Sequence, residues 1–235
     1  MKYLPITIDF ETTDKDPLTA HPVECALFTE AGHQDCFFIK PPIGIPPETS
    51  AIHHIIDADV DNAEDWEAGQ LHINATIANM LKYAEADTAL LIAHNAKYEQ
   101  TILRNTKIEA PHAWVCTYKV SMVEYPDAPT HSNEGLRYWL GLGERGRSVK
   151  QATHSALHDC KITMLLYQEM LNHKSLEDMI LITKQPVQYS KMPFGKHRGE
   201  PMNQVPSSYL QWMIKQGDME EDIKACARQQ LAGRK

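Results

Sequence analysis

The chain opens with a strand pattern in which apolar and polar residues alternate. In residues 3–10, "YLPITIDF", every second position is apolar: Leu4, Ile6, Ile8 and Phe10. Two short β-rich segments follow at 22–30 and 34–39, and "TALLIAHN" at 88–95 is a continuous apolar run that ends in polar residues. Patterns of this kind predict β-strands bounded by turns.

Helical spacing of apolar residues occupies the segments between and after these strands. We predict a short helix at 49–56 with Thr49 or Ser50 as its N-cap, and a longer one at 74–85 behind an Asn74 cap. The remaining predicted elements are helices at 96–105, 118–124, 133–141 and 155–172, and a short strand at 114–117. Strands followed by mixed β/α units predict an α/β domain whose mixed sheet is covered by helices.

Polar residues and prolines interrupt the pattern at about 184–192, which we interpret as a linker. The 235-residue chain is long enough for one large domain and a small appendage. We therefore predict an α/β domain at 1–184 and a small α+β unit at 185–235. The second unit is too short to form a large core of its own.

The composition is that of an ordinary soluble protein, with 43% hydrophobic and 23% charged residues. Acidic residues interrupt the first apolar run before a signal peptide could form, and no apolar stretch approaches the roughly 18 residues of a membrane span. We therefore expect a cytoplasmic protein with no membrane contact. The five cysteines are scattered without a Cys-x-x-Cys pair, which favours free thiols.

The formal net charge of −8 argues against a protein that grips nucleic acid by bulk electrostatics. The charge is unevenly distributed, because residues 186–235 hold eight Lys and Arg against five Asp and Glu. An acidic body with a mildly basic tail is compatible with a metal-dependent site plus a small element that faces nucleic acid. Surface solubility explains the same distribution.

Two acids, Asp9 and Glu11, end the first strand two residues apart. Because side chains at i and i+2 leave the same face of a strand, these carboxylates converge, and a cation between them would relieve their repulsion. Hard oxygen ligands favour magnesium or manganese over zinc. The alternative is a strand that runs out into a solvated loop, helped by Asp14 and Asp16.

Further acids follow a strand end and a helix start. Glu99 lies one turn into the helix that follows His94 and Asn95, and Asp159 lies about one turn inside the helix that begins near His154. Carboxylates at strand ends and on the helices behind them build the phosphate and metal crevices of open α/β sheets. Each stretch alone could also be a solvated helix face.

Together these stretches resemble the DEDD exonuclease superfamily, in its DEDDh (DnaQ-like) branch, which uses a histidine as general base. Asp9-x-Glu11 resembles the first motif, "HNAKYE" the second, and His-x-Ala-x-x-Asp from His154 to Asp159 the third. Shorter similar segments lie between the motifs: Val23-Glu24, "AIHHI" at 51–55 and "VCT" at 115–117. The resemblance covers about residues 4–173.

The resemblance implies a ribonuclease-H-like fold and two-metal hydrolysis of phosphodiester bonds from the 3′ end, with two Mg²⁺ or Mn²⁺ ions. It implies that Asp9 bridges the ions, that Glu11 and Asp159 hold one of them, and that His154 is the general base. Glu99 would serve the second ion, although the family has an aspartate there. The alternative is that this glutamate marks a catalytically impaired nucleic-acid-binding module.

The tail, "FGKHRGEPMNQVPSSYLQWM", resembles the small C-terminal module of exodeoxyribonuclease X and related proteins. By association we expect DNA as the substrate in preference to RNA, and an exoribonuclease is the alternative. The residues expected to contact nucleic acid are Thr12, His53, His94, Asn95, Lys196 and Arg198. A homodimer and a replication or repair partner are left open.

Histidines four residues apart could also form a zinc pair on one helix face. His154 and His158 have this spacing, but no glutamate follows His154 as it would in a His-Glu-x-x-His metalloprotease motif. We therefore do not expect zinc.

Overall fold

The computed structural model describes residues 1–105, 113–143, 155–187, 189–217, 219 and 221–234. Its strands are β1 (Tyr3–Thr12), β2 (Pro22–Thr29), β3 (Gln34–Phe38), β4 (Thr88–Ala93) and β5 (Ala113–Cys116). Its helices are α1 (Pro47–His53), α2 (Asp57–Val60), α3 (Trp66–Ala84), α4 (Lys97–Ile102), α5 (Thr117–Glu124), α6 (Asn133–Trp139), α7 (Ala156–Met170), α8 (Leu176–Lys184), α9 (Ser207–Lys215) and α10 (Glu221–Ala232). Short 3₁₀ turns lie at Leu103–Asn105 and Gly195–His197.

The strands form one five-stranded sheet in the order β3-β2-β1-β4-β5. β1 pairs antiparallel with β2, and β2 with β3, whereas β1, β4 and β5 run parallel. The predicted mixed sheet is therefore confirmed. Because β1 and β4 are parallel neighbours, their carboxyl ends meet at the same edge of the sheet.

Both faces of the sheet are buried. Ile6 and Ile8 of β1 pack with α3 in one core, as the alternation predicts. Leu91 of β4 joins that core, whereas its neighbours Leu90 and Ile92 enter a second core formed with α5, α7 and α8. Burial on both sides explains the continuous apolar run of β4.

The predicted start of the second helix is wrong. α3 begins eight residues before Asn74, behind an Asp65 N-cap whose side chain accepts a hydrogen bond from the Ala68 N–H at 3.0 Å. Its buried stripe passes through Gly69, where an added Cβ would lie 3.4 Å from Ile39. Because glycine has no side chain, the helical spacing of apolar residues could not be traced back through Gly69 to the start of α3.

The predicted cap of the first helix is also wrong. α1 begins at Pro47 behind Pro46, and the Thr49 hydroxyl donates to the Pro46 carbonyl instead of capping the helix. Proline suits the first helical position because its missing N–H would be unpaired there. His54, at φ 62°, ends the helix three residues earlier than predicted.

The C-terminal segment packs on a core that the first unit completes. Val187 and Tyr189, in the predicted linker, are buried with residues of α9 and α10, and Met122 of α5 joins this cluster. An ion pair between Lys119 of α5 and Asp222 of α10 spans the same junction at 3.7 Å. Within the described residues, no helix is long and apolar enough to cross a membrane.

Candidate active site

Three acids from two separate sequence motifs meet on one face of the sheet. Asp9 and Glu11 leave β1 on the side covered by α7, and Asp159 comes from the first turns of that helix. One carboxylate oxygen from each residue lies within 4.8 Å of the others. The two-residue spacing on a strand therefore does bring the carboxylates together.

Small side chains let α7 approach the sheet closely enough for this contact. Ala156 and Cys160 of the helix and Ala26 of β2 are fully buried against one another. The Cys160 thiol also donates to the Ala26 carbonyl at 3.3 Å. Since Ala26 is the β2 partner of Asp9 in the sheet, this contact places the helix directly over the acids.

Burial and neighbouring charge raise the pKa values of Asp9 and Glu11. Burial, followed by the charges of Asp159 and Glu99, raises the pKa of Asp9 well above its usual value. Burial and the charge of Asp159 raise the pKa of Glu11 to about 8. Carboxylates crowded in this way are stable as anions only when positive charge accompanies them.

Glu99 of α4 lies beside this group but is not one of the three closely spaced acids. It is 3% exposed, and burial raises its pKa to about 8. Its Oε2 atom is buried with no hydrogen-bond partner among the described residues. An unpaired buried carboxylate oxygen next to three converging acids fits a site for divalent cations such as Mg²⁺ or Mn²⁺.

Tyr98, next to Glu99, ties α4 to the loop after β1. Its hydroxyl lies 2.5 Å from the Thr12 hydroxyl and donates to the Asp14 carbonyl at 2.7 Å. The Asp14 carboxylate accepts hydrogen bonds from the Asp16 N–H and the Thr19 hydroxyl, which lower its pKa. Asp14 therefore organises this loop. Sequence reasoning did not single out Tyr98, whose position within "HNAKYE" was the available signal.

The histidine at the end of β4 has an internal role. His94 Nδ1 is hydrogen-bonded to the Thr117 hydroxyl at 2.9 Å, and Nε2 to the His131 carbonyl at 2.8 Å. Burial lowers its pKa to about 4. Both ring nitrogens are thus occupied, and contact of His94 with nucleic acid stays a prediction. Asn95 is exposed at the strand end with φ 77°.

Thr12 and His53, also expected to contact substrate, are both buried. His53 Nδ1 accepts the Ile55 N–H at 3.1 Å, and burial lowers the pKa of its ring. Their contacts with nucleic acid stay predictions.

The predicted general base, His154, lies outside the described residues. His158, its partner in the zinc alternative, is buried and places Nε2 2.5 Å from the Glu134 carboxylate of α6. That carboxylate also accepts two hydrogen bonds from Arg137. His158 therefore belongs to a hydrogen-bonded network between α6 and α7.

Comparison with known families identifies the larger unit. The sequence model RNase_T, described as "Exonuclease", matches residues 6–167. The chain belongs to the exonuclease family. A second model, QSregVF_b, described as "Putative quorum-sensing-regulated virulence factor", matches residues 182–223. A comparison with curated proteins finds no match.

Solved structures of exonucleases share the fold. A structure of Exonuclease X in complex with 5′-overhanging duplex DNA is 24% identical, with 77% of this chain and 99% of that chain covered and a TM-score of 0.53. The nuclease domain of 3′hExo, a DEDDh family member bound to rAMP, is 16% identical, with 73% and 92% covered and a TM-score of 0.56. Exonuclease I from Methylocaldum szegediense is 15% identical, with 75% and 41% covered and a TM-score of 0.52.

A glycine-bounded turn in the C-terminal part of this exonuclease presents two basic residues, Lys196 and Arg198, which are both exposed. The turn is held close to α9, because a Cβ on Gly195 would come within 2.5 Å of the Tyr209 hydroxyl. Lys196 Nζ lies 5.3 Å from the centre of the Tyr209 ring, and Trp212 stacks on the same tyrosine. The predicted contact of this turn with nucleic acid stays a prediction.

Proposed function

We propose that this member of the exonuclease family is a divalent-metal-dependent 3′–5′ exonuclease that acts on DNA. The observation that carries the proposal is the close group of Asp9, Glu11 and Asp159, with Glu99 beside it. Family membership establishes the nuclease class. Converging, partly buried acids on β1 and α7 support metal-assisted hydrolysis of a phosphodiester.

Magnesium or manganese suits this set of hard oxygen donors. Asp9 would hold both of two ions, Glu11 and Asp159 one of them, and Glu99 the other. When bound, the ions compensate the buried carboxylates and stabilise the negative charge that develops on the phosphoryl oxygens. The unpaired Oε2 of Glu99 supports its inclusion in this set.

His154 acts as the general base in this proposal. It accepts a proton from a water molecule whose oxygen forms a bond to the terminal phosphorus, while the bond from phosphorus to the 3′ oxygen of the preceding nucleotide breaks. The leaving oxygen gains a proton, so the products are a nucleoside 5′-monophosphate and a shortened strand with a 3′-hydroxyl. An ordinary histidine pKa of about 6.5 suits this role near neutral pH.

A cleft lined in part by Tyr98, the residue before Glu99, supports binding of a nucleotide chain. Its volume is about 570 Å³, and its lining includes Asn95, Lys97 and Tyr98 from the catalytic unit and Tyr189 from the C-terminal part. Lysine attracts phosphates, and aromatic rings stack on bases. The exposed turn with Lys196 would add a further phosphate contact.

DNA is the first proposed substrate because the C-terminal part resembles a module that accompanies a DNA exonuclease, and the Exonuclease X structure contains duplex DNA. RNA is the second candidate, favoured by the 3′hExo nuclease structure bound to rAMP. The two substrates differ at the 2′-hydroxyl, which a protein can recognise directly.

The test follows 5′-labelled single-stranded DNA and an RNA of the same sequence, first in Mg²⁺ and then in Mn²⁺. The proteins are wild type, Glu99→Asp and Asp159→Ala. We expect wild type to shorten DNA from its 3′ end and Asp159→Ala to leave it intact. Faster shortening of RNA would make the protein an exoribonuclease.

Two other results would overturn the proposal. Wild type that is inert while Glu99→Asp cuts would show that the glutamate has silenced the site. If neither protein cuts DNA or RNA in either metal, the exonuclease activity itself is wrong for these substrates.

A further inference from the structure

A fifth carboxylate, that of Glu24, lies beside the acid group. Glu24 is on β2 directly opposite Glu11 in the antiparallel pair and is 7% exposed. Its charge contributes to the raised pKa values of Asp9 and Glu11. A buried carboxylate so close to the proposed metal ligands needs partners of its own.

Both oxygens of Glu24 are engaged by protein groups. Oε2 accepts the backbone N–H of Ala156, the first residue of α7, at 2.8 Å. Oε1 accepts a hydrogen bond from the Cys36 thiol of β3 at 3.5 Å. Glu24 therefore joins two strands of the sheet to the start of the helix that bears Asp159.

The next two N–H groups of α7 also meet side-chain acceptors. The Leu157 N–H approaches the Cys36 sulfur, and the His158 N–H bonds to the Ser155 hydroxyl at 3.4 Å. The first N–H groups of a helix have no partner within the helix, and a negative charge there is favourable. The bond to Glu24, at 2.8 Å, is shorter than the bond to Ser155 and ties the helix to the sheet.

We infer that Glu24 is a positioning residue that fixes the first turn of α7 on the sheet and thereby places Asp159 against Asp9 and Glu11. This inference rests on the proposed function. The length of the Glu24 side chain and its acceptor oxygen are the properties required. Its negative charge is not required, because Asp159 and its neighbours already supply the carboxylates of the site.

Matched variants separate the effect of side-chain length at Glu24 from the effect of its charge. Glu24→Gln keeps the side-chain length and an acceptor oxygen but removes the charge. Glu24→Asp keeps the charge but withdraws it by one methylene from the Ala156 N–H. The control is Ser175→Ala, which removes the N-cap bond to the Asp178 N–H of α8, a helix that bears none of the four acids.

Three measurements read the effect: calorimetric titration with Mn²⁺, kcat and KM on a DNA oligonucleotide, and hydrogen exchange of the first turn of α7. Loss of an outer-shell partner typically costs 10–100-fold in metal affinity or activity, so we expect Glu24→Asp to weaken Mn²⁺ binding about tenfold. We expect its kcat to fall, its KM to stay unchanged, and exchange at the start of α7 to accelerate. Glu24→Gln and Ser175→Ala should stay within about threefold of wild type in Mn²⁺ affinity.

The inference is wrong if Glu24→Gln is impaired as strongly as Glu24→Asp, because the charge itself would then be required. It is also wrong if Glu24→Asp binds Mn²⁺ as Ser175→Ala does. Wild type that neither binds Mn²⁺ nor cuts would refute the proposed function. In that case, unchanged exchange at the start of α7 in Glu24→Asp would refute the anchoring as well.

Discussion

The region matched by the exonuclease family model, residues 6–167, and the C-terminal segment place their charged side chains in opposite ways. In the first, Asp9 and Glu11 lie close to Asp159, and burial raises the pKa values of Asp9, Glu11 and Glu99. In the second, Lys196 and Arg198 lie exposed on a turn. Buried charges destabilise the fold unless a ligand compensates them, so their presence points to a function, whereas exposed charges need no such explanation.

Among the predicted effects, the loss of activity in Asp159→Ala should be the largest. Removing one ligand of the proposed ions removes several kcal/mol of charge stabilisation from the transition state, so we expect kcat to fall roughly a thousandfold or more. Single-turnover shortening of a 5′-labelled oligonucleotide measures this loss. Residual activity above one tenth of wild type would show that Asp159 is dispensable.

Two substitutions at Glu99 should give a smaller effect. Glu99→Gln keeps the volume of the side chain but removes the charge near the orphaned Oε2 position, and we expect it to lower activity about a hundredfold. Glu99→Asp restores the family's residue and should stay within about tenfold of wild type. Equal activity of Glu99→Gln and wild type, measured in both metals, would remove Glu99 from the proposed ligand set.

Local patterns were sufficient to predict the pair of acids on β1 and the mixed sheet. The period of two on β1 places Asp9 and Glu11 on one face, and the structure confirms that these two carboxylates converge. That Asp159 joins them was expected only from the family resemblance. The mixed sheet followed from the order of elements along the chain. The convergence of Asp9 and Glu11 depends on neighbours in sequence, whose geometry is fixed by the backbone.

Features that depend on contacts between distant segments were missed. The role of Glu24 requires the pairing of β2 with β1 and the position of α7, which lies 132 residues away along the chain. The hydrogen-bond partners of His94 are the Thr117 hydroxyl and the His131 carbonyl, which lie far away along the chain. Its internal role could therefore not be predicted from the strand end alone. No pattern in the sequence encodes such meetings directly.

In the exposed turn of the C-terminal segment, the double substitution Lys196→Ala and Arg198→Ala should weaken substrate binding without changing the rate of the chemical step. Each lost phosphate contact weakens binding uniformly and reduces the slope of log affinity against log salt by about one. We expect KM for single-stranded DNA to rise about tenfold at moderate salt while kcat stays unchanged. Steady-state kinetics at three salt concentrations measure both quantities.

The matched control is Lys215→Ala, which removes a charge from the end of α9 in the same unit. A KM that rises equally in the control would indicate a general electrostatic effect. A KM that stays unchanged in the double variant would leave this turn without a function in binding.

The smallest expected effect is a change in the stability of the metal-free protein. Substitution of the site residue Glu11 should increase this stability. The pKa of Glu11 is raised to about 8 from an ordinary value near 4.5. The folded, metal-free protein therefore holds a proton that the unfolded chain releases, and its stability is lost as the pH rises from about 4.5 through 8. Glu11→Gln removes this dependence, so the variant should be more stable than wild type, and more so at pH 8 than at pH 5.

Thermal unfolding in EDTA at pH 5 and pH 8 tests whether Glu11→Gln is more stable than wild type. A gain of about 1 kcal/mol at pH 8 would raise the Tm roughly 2–4 °C in a chain of this size. Adding Mn²⁺ should raise the Tm of wild type above that of Glu11→Gln, because the ions bind the charged form of the acids. Lys196→Ala removes an exposed charge, so it should change neither the difference in Tm between pH 5 and pH 8 nor the effect of Mn²⁺ on the Tm. If Glu11→Gln is instead less stable than wild type in EDTA at pH 8, the buried acids do not destabilise the metal-free fold, and the contrast between the two units loses its physical basis.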